Sequence, residues 1–451
     1  MRTVCVIGAS LLWTRTLVGD LIAVFSEEAL EVRFVDIDPR NAEICCQWGN
    51  AANSAYDRKD LYKPYTDRRK ALDGADAVLV TISTGGLEAM AYDIAIPEKY
   101  GIYATVGDTA GAAGWSRSIR NIPVFMDMAR DFTELCPRAI IANYTNPMST
   151  LTATVSIMCR NPVVGLCHAY FETKDVIQKI FGLPDWKRLS IEIAGLNHFT
   201  WVTGFRIDGK DGYYLLKEKI GSGSIRDVMP LESTDEIGIT SSHALFAELF
   251  DAYGYLPYPA DRHICEFLPY ALTGADERGG ETLNYCRLRR TSIAQRVKIA
   301  QIKRQQMLDN IECLGREHGL IPPKSRETGA DMIWGYLNNI PVVDAVNTLN
   351  HGQIAGLPLN ACVETLGVVD GFGIRPLMVS AVPEPLLELM RPQAVVSKWI
   401  VEAVLSENRT LLYQALRQDP QCAHLKPGQA CALADELFDA NKPYFSSVWR
   451  G

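Results

Sequence analysis

The stretch Met1-Arg2-Thr3-Val4-Cys5-Val6-Ile7-Gly8-Ala9-Ser10 decides how the rest of the chain is read. Residues 3–7 form a short β-branched apolar run bounded by a turn signal, as expected of a strand buried on both faces. Gly8-Ala9-Ser10 follows it and precedes an amphipathic helical pattern over 14–25. A glycine there permits a tight turn, and small residues after it let backbone amides approach a pyrophosphate at the positive helix N-terminus. The full G-x-G-x-x-G pattern is absent: Ser10 stands at the second glycine position and Trp13 at the third. On these residues alone an ordinary strand-to-helix turn explains the pattern as well as a nucleotide site does.

Outward from that turn the same rhythm continues. Strands are expected at 31–35, 77–82, 139–143 and 163–166, with helices over 41–56 and 119–134 between them. Such alternation implies a parallel sheet covered on both faces, with right-handed crossovers gathering the strand C-termini at one ligand-binding edge. Val35-Asp36-Ile37-Asp38 places an acid at the end of the second strand. A carboxylate there accepts both ribose hydroxyls of NAD and repels the extra phosphate of NADP. Asp38, just before Pro39, suits a helix N-cap, which leaves Asp36 for the ribose.

After residue 195 the rhythm breaks. Strand-like pieces at 200–207 and 212–216 give way to helical patterns over 241–253, 291–317 and 396–417. The expected organisation is therefore α/β: a Rossmann-type parallel sheet over 1–195, then a largely helical α+β domain over 196–451.

Composition narrows the function classes. With 451 residues, 47% hydrophobic and 22% charged, the chain has ample apolar surface for more than one core. Forty-five basic against 53 acidic residues leave a net charge of −8, which argues against nucleic acid as a partner. No apolar run is long enough to span a bilayer, and the first residues read straight into a strand. Twelve scattered cysteines suit a reducing compartment, so a cytoplasmic location is expected.

Three polar clusters fall just after apolar runs. They are Asn143-Tyr144-Thr145-Asn146-Pro147-Met148, Gly165-Leu166-Cys167-His168 and Gly195-Leu196-Asn197-His198-Phe199. Cys167 and His198 are too far apart for a zinc-finger spacing, but two such ligands would leave a catalytic metal open to substrate. The plainer alternative is a buried cysteine and a hydrogen-bonded core histidine. Cys167-His168 as a thiol–imidazole nucleophile pair is disfavoured, because neighbouring strand residues point to opposite faces.

Together these segments resemble glycoside hydrolase family 4, the NAD- and divalent-metal-dependent glycosidases related in fold to lactate and malate dehydrogenases. Further anchors are Gly85-Gly86-Leu87-Glu88-Ala89, Arg120-Asn121-Ile122-Pro123, Gly356-Leu357-Pro358 and Val363-Glu364. The resemblance implies that Cys167 and His198 bind Mn²⁺ or another divalent metal and that Asn146 holds substrate hydroxyls beside the nicotinamide. It implies Asp261, in Pro259-Ala260-Asp261-Arg262-His263, as the base, with Tyr255 or Tyr258 as alternatives, and His168 as acid or water organiser. Gly8, Ser10, Asp36 and Asn146 are the implied NAD contacts. The implied reaction is redox-neutral oxidation, elimination, addition and reduction, an exception to two-carboxylate glycoside hydrolysis.

Departures from the family pattern refine the substrate. Phosphosugar-cleaving members carry Cys-Asn or Cys-Asp and an arginine after the Gly-Gly pair, where this chain has Cys167-His168 and Ala89-Met90. That form resembles the α-galactosidase, α-glucuronidase and α-galacturonidase branches. The run Gly107-Asp108-Thr109-Ala110-Gly111-Ala112-Ala113-Gly114-Trp115-Ser116-Arg117-Ser118 is similar to the uronidase side. The implied activity is thus hydrolysis of α-linked uronic acid glycosides, α-galacturonides first, with α-glucuronides and α-galactosides as alternatives. A uronate needs a cation, for which Arg117, Arg120, Arg262 and Arg375 are candidates, with Asp108 a further substrate contact. Competing classes are a net NAD-dependent sugar or hydroxyacid dehydrogenase and a non-catalytic NAD sensor. The only partners expected are the glycoside and further copies of the chain, as a homodimer or homotetramer.

Overall fold

Six strands run parallel in the order β3-β2-β1-β4-β5-β6: β1 Arg2–Ile7, β2 Leu30–Val35, β3 Leu61–Tyr65, β4 Ala77–Val80, β5 Ile140–Asn143 and β6 Val163–Gly165. This computed structural model describes residues 1–11, 13–229, 232–234, 240–272, 282–283, 288–314 and 324–445. The strand order is that of a dinucleotide-binding doubly wound sheet. The parallel strands lie where the sequence places them, apart from β3. Its sequence, Leu-Tyr-Lys-Pro-Tyr, lacks the apolar run of its neighbours because β3 is the sheet edge, where Pro64 removes no ladder bond that a partner would need.

The sheet does not stop at β6. Antiparallel strands extend it through β10 Val342–Leu349, β11 Cys362–Asp370, β7 Leu189–Leu196, β8 Phe199–Ile207 and β9 Lys210–Asp211; β12 Gly373–Pro376 also pairs with β11. Asn347 pairs with Gly165 of β6, and Glu364 with Gly195 of β7, so late and early segments share one sheet. Residue 195 falls inside the β7–β8 hairpin.

Alternation along β1 divides the core. Cys5 and Ile7 pack with Trp115, Phe125 and Phe132 of the helix Gly111–Leu135, while Val4 and Val6 pack with Leu17, Leu21 and Trp48 on the other face. The first face is also covered by the C-terminal helices Glu384–Leu405, Arg409–Gln418 and Pro427–Asn441. Among the described residues no helix is long and apolar enough to cross a membrane.

Two local expectations are corrected. Residues 212–216, read as strand, begin the helix Gly212–Ile220, because Asp211 accepts a hydrogen bond from Tyr214 N at 2.8 Å and caps it. The helical pattern over 396–417 is two helices: Glu407 turns to φ 53°, and Asn408 restarts the chain by capping Leu411 N at 3.0 Å.

Candidate active site

All five connections after β1, β2, β4, β5 and β6 open at one sheet edge. At the first, Gly8 has φ +90°, and a Cβ there would lie 2.1 Å from the backbone oxygen of Thr81. Only glycine fits this turn. Asp36 ties it down by accepting from Ala9 N at 3.1 Å and Asp38 N at 2.9 Å, with a second acceptor position left on each oxygen. Asp38 caps the helix Pro39–Tyr56 through Arg40 N at 3.1 Å. Ser10 lies in the turn, its carbonyl accepting from Thr14 Oγ1 at 2.7 Å at the start of the helix Thr14–Val24.

A second constellation lies further along that edge. His198 occupies the tight β7–β8 turn with φ 64°. Thr109 Oγ1 donates to Asp108 Oδ1 at 2.7 Å and lies 3.0 Å from His198 Nδ1. The segment before 260 runs beside β8, with Val202 N bonded to Leu256 O and Tyr258 N to Thr200 O, each at 2.8 Å. It lays the Tyr258 ring parallel to His198 at 5.8 Å, and the His263 ring centroid 4.2 Å from that of His198. One ligand atom each of Asp108, His198 and His263 lie within 4.8 Å of one another.

Asn146 joins this group, with Nδ2 donating to Asp108 Oδ2 at 3.4 Å while its carbonyl accepts from Arg117 Nε at 2.9 Å. Its Oδ1 is buried with no hydrogen-bond partner. Arg117 also reaches Ser83 Oγ at 3.2 Å. The loop carrying Asp108 is pinned by Glu266, which accepts from Val106 N at 2.7 Å, Gly107 N at 2.8 Å and Thr105 Oγ1 at 3.1 Å.

Burial dominates the titration of these groups. It lowers His198 to about 4, helped by His168 and Arg262 and opposed by Asp108, so the imidazole is neutral near pH 7. Burial would raise Asp108, but His198, Arg117, the Thr109 hydroxyl and Arg296 together hold it below the usual carboxylate range. The Cys167 thiol is pushed well up by burial and by Glu364, against the opposing pull of Ala169 N and the Asn197 side chain. Cys167 therefore stays protonated until a cation displaces its proton.

Glu266 is raised to about 7 by burial and Asp108, with its three donors opposing. An acid raised from 4.5 binds its proton more tightly in the folded state, so folding stability falls as pH climbs from about 4.5 through 7. Glu266→Gln keeps an acceptor oxygen but cannot ionise. Urea midpoints measured from pH 4.5 to 8 should decline less steeply for this variant than for the wild type, and an equal or steeper decline contradicts the assignment.

The remaining expected residues are placed as follows. Asp261 is buried, and both its oxygens are taken by the amides of Leu245 and Phe246, at 2.8 and 2.9 Å, at the open end of the helix Ala244–Tyr253. Its charged neighbours are Glu248 and Arg226, so the structure does not bring this carboxylate to the imidazole cluster. Tyr258 is in the cluster, its hydroxyl buried beside Glu172 and Cys167, whereas Tyr255 meets Tyr213 edge-on at 5.4 Å. The His168 imidazole is partly exposed, 3.8 Å from both Glu172 and Glu327, and close enough to act on His198.

The arginines divide sharply. Arg120 is wholly buried and saturated by Asp93, Asn441 and the Thr84 carbonyl, so it is a fold residue and not a substrate cation. Arg375 pairs with Asp370 at the β11–β12 turn. Arg117 and Arg262 stay at the cluster, where they meet Arg296 of the helix Ile293–Leu314, which Asp108, Arg262, Glu266 and Arg117 all influence. Sequence reading missed Arg296 and His263. Arg296 sits in an unremarkable helical pattern, and His263 follows the two residues that drew attention in the same motif.

A doubly wound sheet of dinucleotide-binding order with a buried imidazole–carboxylate cluster at its ligand edge defines an enzyme of dehydrogenase-like fold. The family 4 glycosyl hydrolase model matches residues 3–183, and the family 4 glycosyl hydrolase C-terminal domain matches 193–422. The chain belongs to family 4 of the glycosyl hydrolases, and is a glycosidase. It is 31% identical to an α-galacturonidase of Thermoanaerobacterium saccharolyticum, covering 98% of this chain and 96% of the relative. It is 30% identical to an α-galactosidase of Bacillus subtilis, covering 98% of each. A 6-phospho-α-glucosidase from gut microorganisms, solved with NAD and Mn²⁺, shares the fold at a TM-score of 0.79 and 17% identity, covering 98% of this chain and 99% of that one.

Proposed function

We propose that this chain hydrolyses α-linked uronic acid glycosides, α-galacturonides first, by a redox-neutral route that needs NAD and a divalent metal. The observation that carries the substrate assignment is the convergence of Arg117, Arg262 and Arg296 beside Asp108 and the two imidazoles. The gathering of these guanidiniums around the buried Asp108 carboxylate favours a substrate that brings its own negative charge. The α-galacturonidase relative supports the same reading.

The residues present fit both cofactors. Gly8 leaves room that a Cβ would fill, and Asp36 keeps acceptor positions for ribose hydroxyls. Neutral His198 beside anionic Asp108 suits a borderline divalent cation, with Cys167, which acts on the neighbouring Tyr258 hydroxyl, as a soft ligand. When bound, NAD supplies a reversible hydride acceptor and the metal a Lewis acid for sugar oxygens. Asn146 Oδ1, buried and unpartnered, is the acceptor for a substrate hydroxyl. Tyr258 is the better placed of the candidate bases, since its hydroxyl lies in the cluster while Asp261 caps a helix. His168, at the half-open mouth, would hold or deliver the proton at the leaving oxygen.

The test is a turnover screen of p-nitrophenyl α-galacturonide, α-glucuronide and α-galactoside with NAD⁺, Mn²⁺ and a thiol reductant. We expect the uronides to be preferred, catalytic NAD to suffice, and deuterium at sugar C2 to wash into solvent. Arg296→Met should lower kcat/KM for the uronide by roughly 10- to 100-fold, the equivalent of one charge-assisted hydrogen bond, and change α-galactoside turnover far less. Preference for the galactoside would transfer the assignment to that relative's activity. Stoichiometric NADH release would mark a net dehydrogenase, and a retained C2 label would exclude the elimination route.

A further inference from the structure

Three side chains far apart in sequence meet on one side of the cluster: Asp108 from the loop before the helix Gly111–Leu135, His198 from the β7–β8 turn, and His263 from the short helix Asp261–Ile264. We propose that His263 and Asp108 are direct ligands of the divalent cation alongside His198, making a two-imidazole, one-carboxylate site. This rests on the metal-dependent reading above and goes beyond the cysteine–histidine pair that the sequence suggests.

Geometry carries the proposal. The three ligand atoms lie within 4.8 Å of one another. Donors about 2.0–2.2 Å from a shared ion end up roughly 3–4 Å apart, so a small inward movement completes the site. The two imidazole rings face each other at 4.2 Å and 45° with no hydrogen bond between them, and His263 Nδ1 is buried with no partner. Such a buried polar atom is costly unless something fills its direction.

The side chain behind His198 is arranged as a metal site requires. Thr109 Oγ1 donates its hydrogen bond to Asp108 Oδ1, so toward His198 it is the acceptor, and His198 Nδ1–H donates to it across 3.0 Å. That fixes the tautomer with its Nε2 lone pair free for a cation. Cys167 Sγ lies outside this three-atom group but acts on the Tyr258 hydroxyl of the same cluster, so it remains available as a further, soft ligand. Two imidazoles and a carboxylate on one side leave the remaining positions to Cys167, substrate oxygens and water, as Lewis-acid work on a sugar needs.

The test titrates metal-free full-length protein with Mn²⁺ while electron paramagnetic resonance follows the free aqua ion, and with Co²⁺ while visible absorption reports the ligand field. Wild type should bind one Mn²⁺ per chain. His263→Ala, His263→Gln and Asp108→Asn should each weaken Mn²⁺ at least tenfold and change the Co²⁺ spectrum, with far-UV circular dichroism and melting temperature unchanged for at least one His263 variant. If all three variants bind Mn²⁺ as tightly as wild type while Cys167→Ser does not, the proposal is overturned and the metal-dependent reading stands. If wild type binds neither ion, both fall.

Discussion

Replacing Arg120 with methionine is expected to cost the fold about 3–5 kcal/mol, because it strands the buried Asp93 carboxylate without its counter-charge. Both side chains are 0% exposed. Arg120 gives Asp93 a two-pronged contact, with Nη1 at 2.7 Å, and fills its other donors on Thr84 O and Asn441 Oδ1. Asn441 in turn donates to Ser116 Oγ, which donates to Asp93 at 2.6 Å. The network therefore clamps the C-terminal helix Pro427–Asn441 against the helix Gly111–Leu135 that carries Arg117. Denaturant unfolding should show the loss directly. The double variant Arg120→Met, Asp93→Leu should recover part of it, since no charge is then left unpaired. A loss below about 1 kcal/mol for the single variant would place the pair among surface-like ion pairs and contradict its burial.

Gly8→Ala is expected to weaken NAD binding by about two orders of magnitude, roughly 2.7 kcal/mol. Two strains add at this residue. Its φ of +90° is one that L side chains rarely adopt, and the new Cβ would meet the Thr81 carbonyl, a backbone atom fixed just past β4. The turn must then move off β4, carrying with it the Ala9 amide that Asp36 holds. Isothermal titration with NAD⁺ reads the affinity, and a melting curve separates a displaced turn from a failed fold. Unchanged affinity in a folded variant would remove the nucleotide from this edge.

How legible was the site? The parallel half of the sheet was readable because its central strands are buried on both faces as short apolar runs, and Leu30–Val35 alternates apolar with charged residues at the strand period. The nucleotide turn was readable for a related reason: Gly8 and Asp36 act next to their own strand ends, so local sequence carries their geometry. The edge strand Leu61–Tyr65 was not, since its exposed face and Pro64 erase the signal. Asp261 and His263 show the limit at its sharpest. Two residues apart on one helical turn, they project about 200° from each other, and the sequence has no means of saying which faces the site.

The amino-acid sequence by itself determined the alternating βαβ start, the glycine turn, the acid at the second strand end and the family-like order of polar clusters, because each depends on neighbours a few residues away. Tertiary structure alone decided that β10 and β11 return to join the early strands, that Arg120 faces Asp93 while Arg117 and Arg296 face Asp108, and that His263 meets His198. Those outcomes depend on contacts between residues hundreds of positions apart in some cases. No local period or spacing encodes them; only the packing of distant surfaces does.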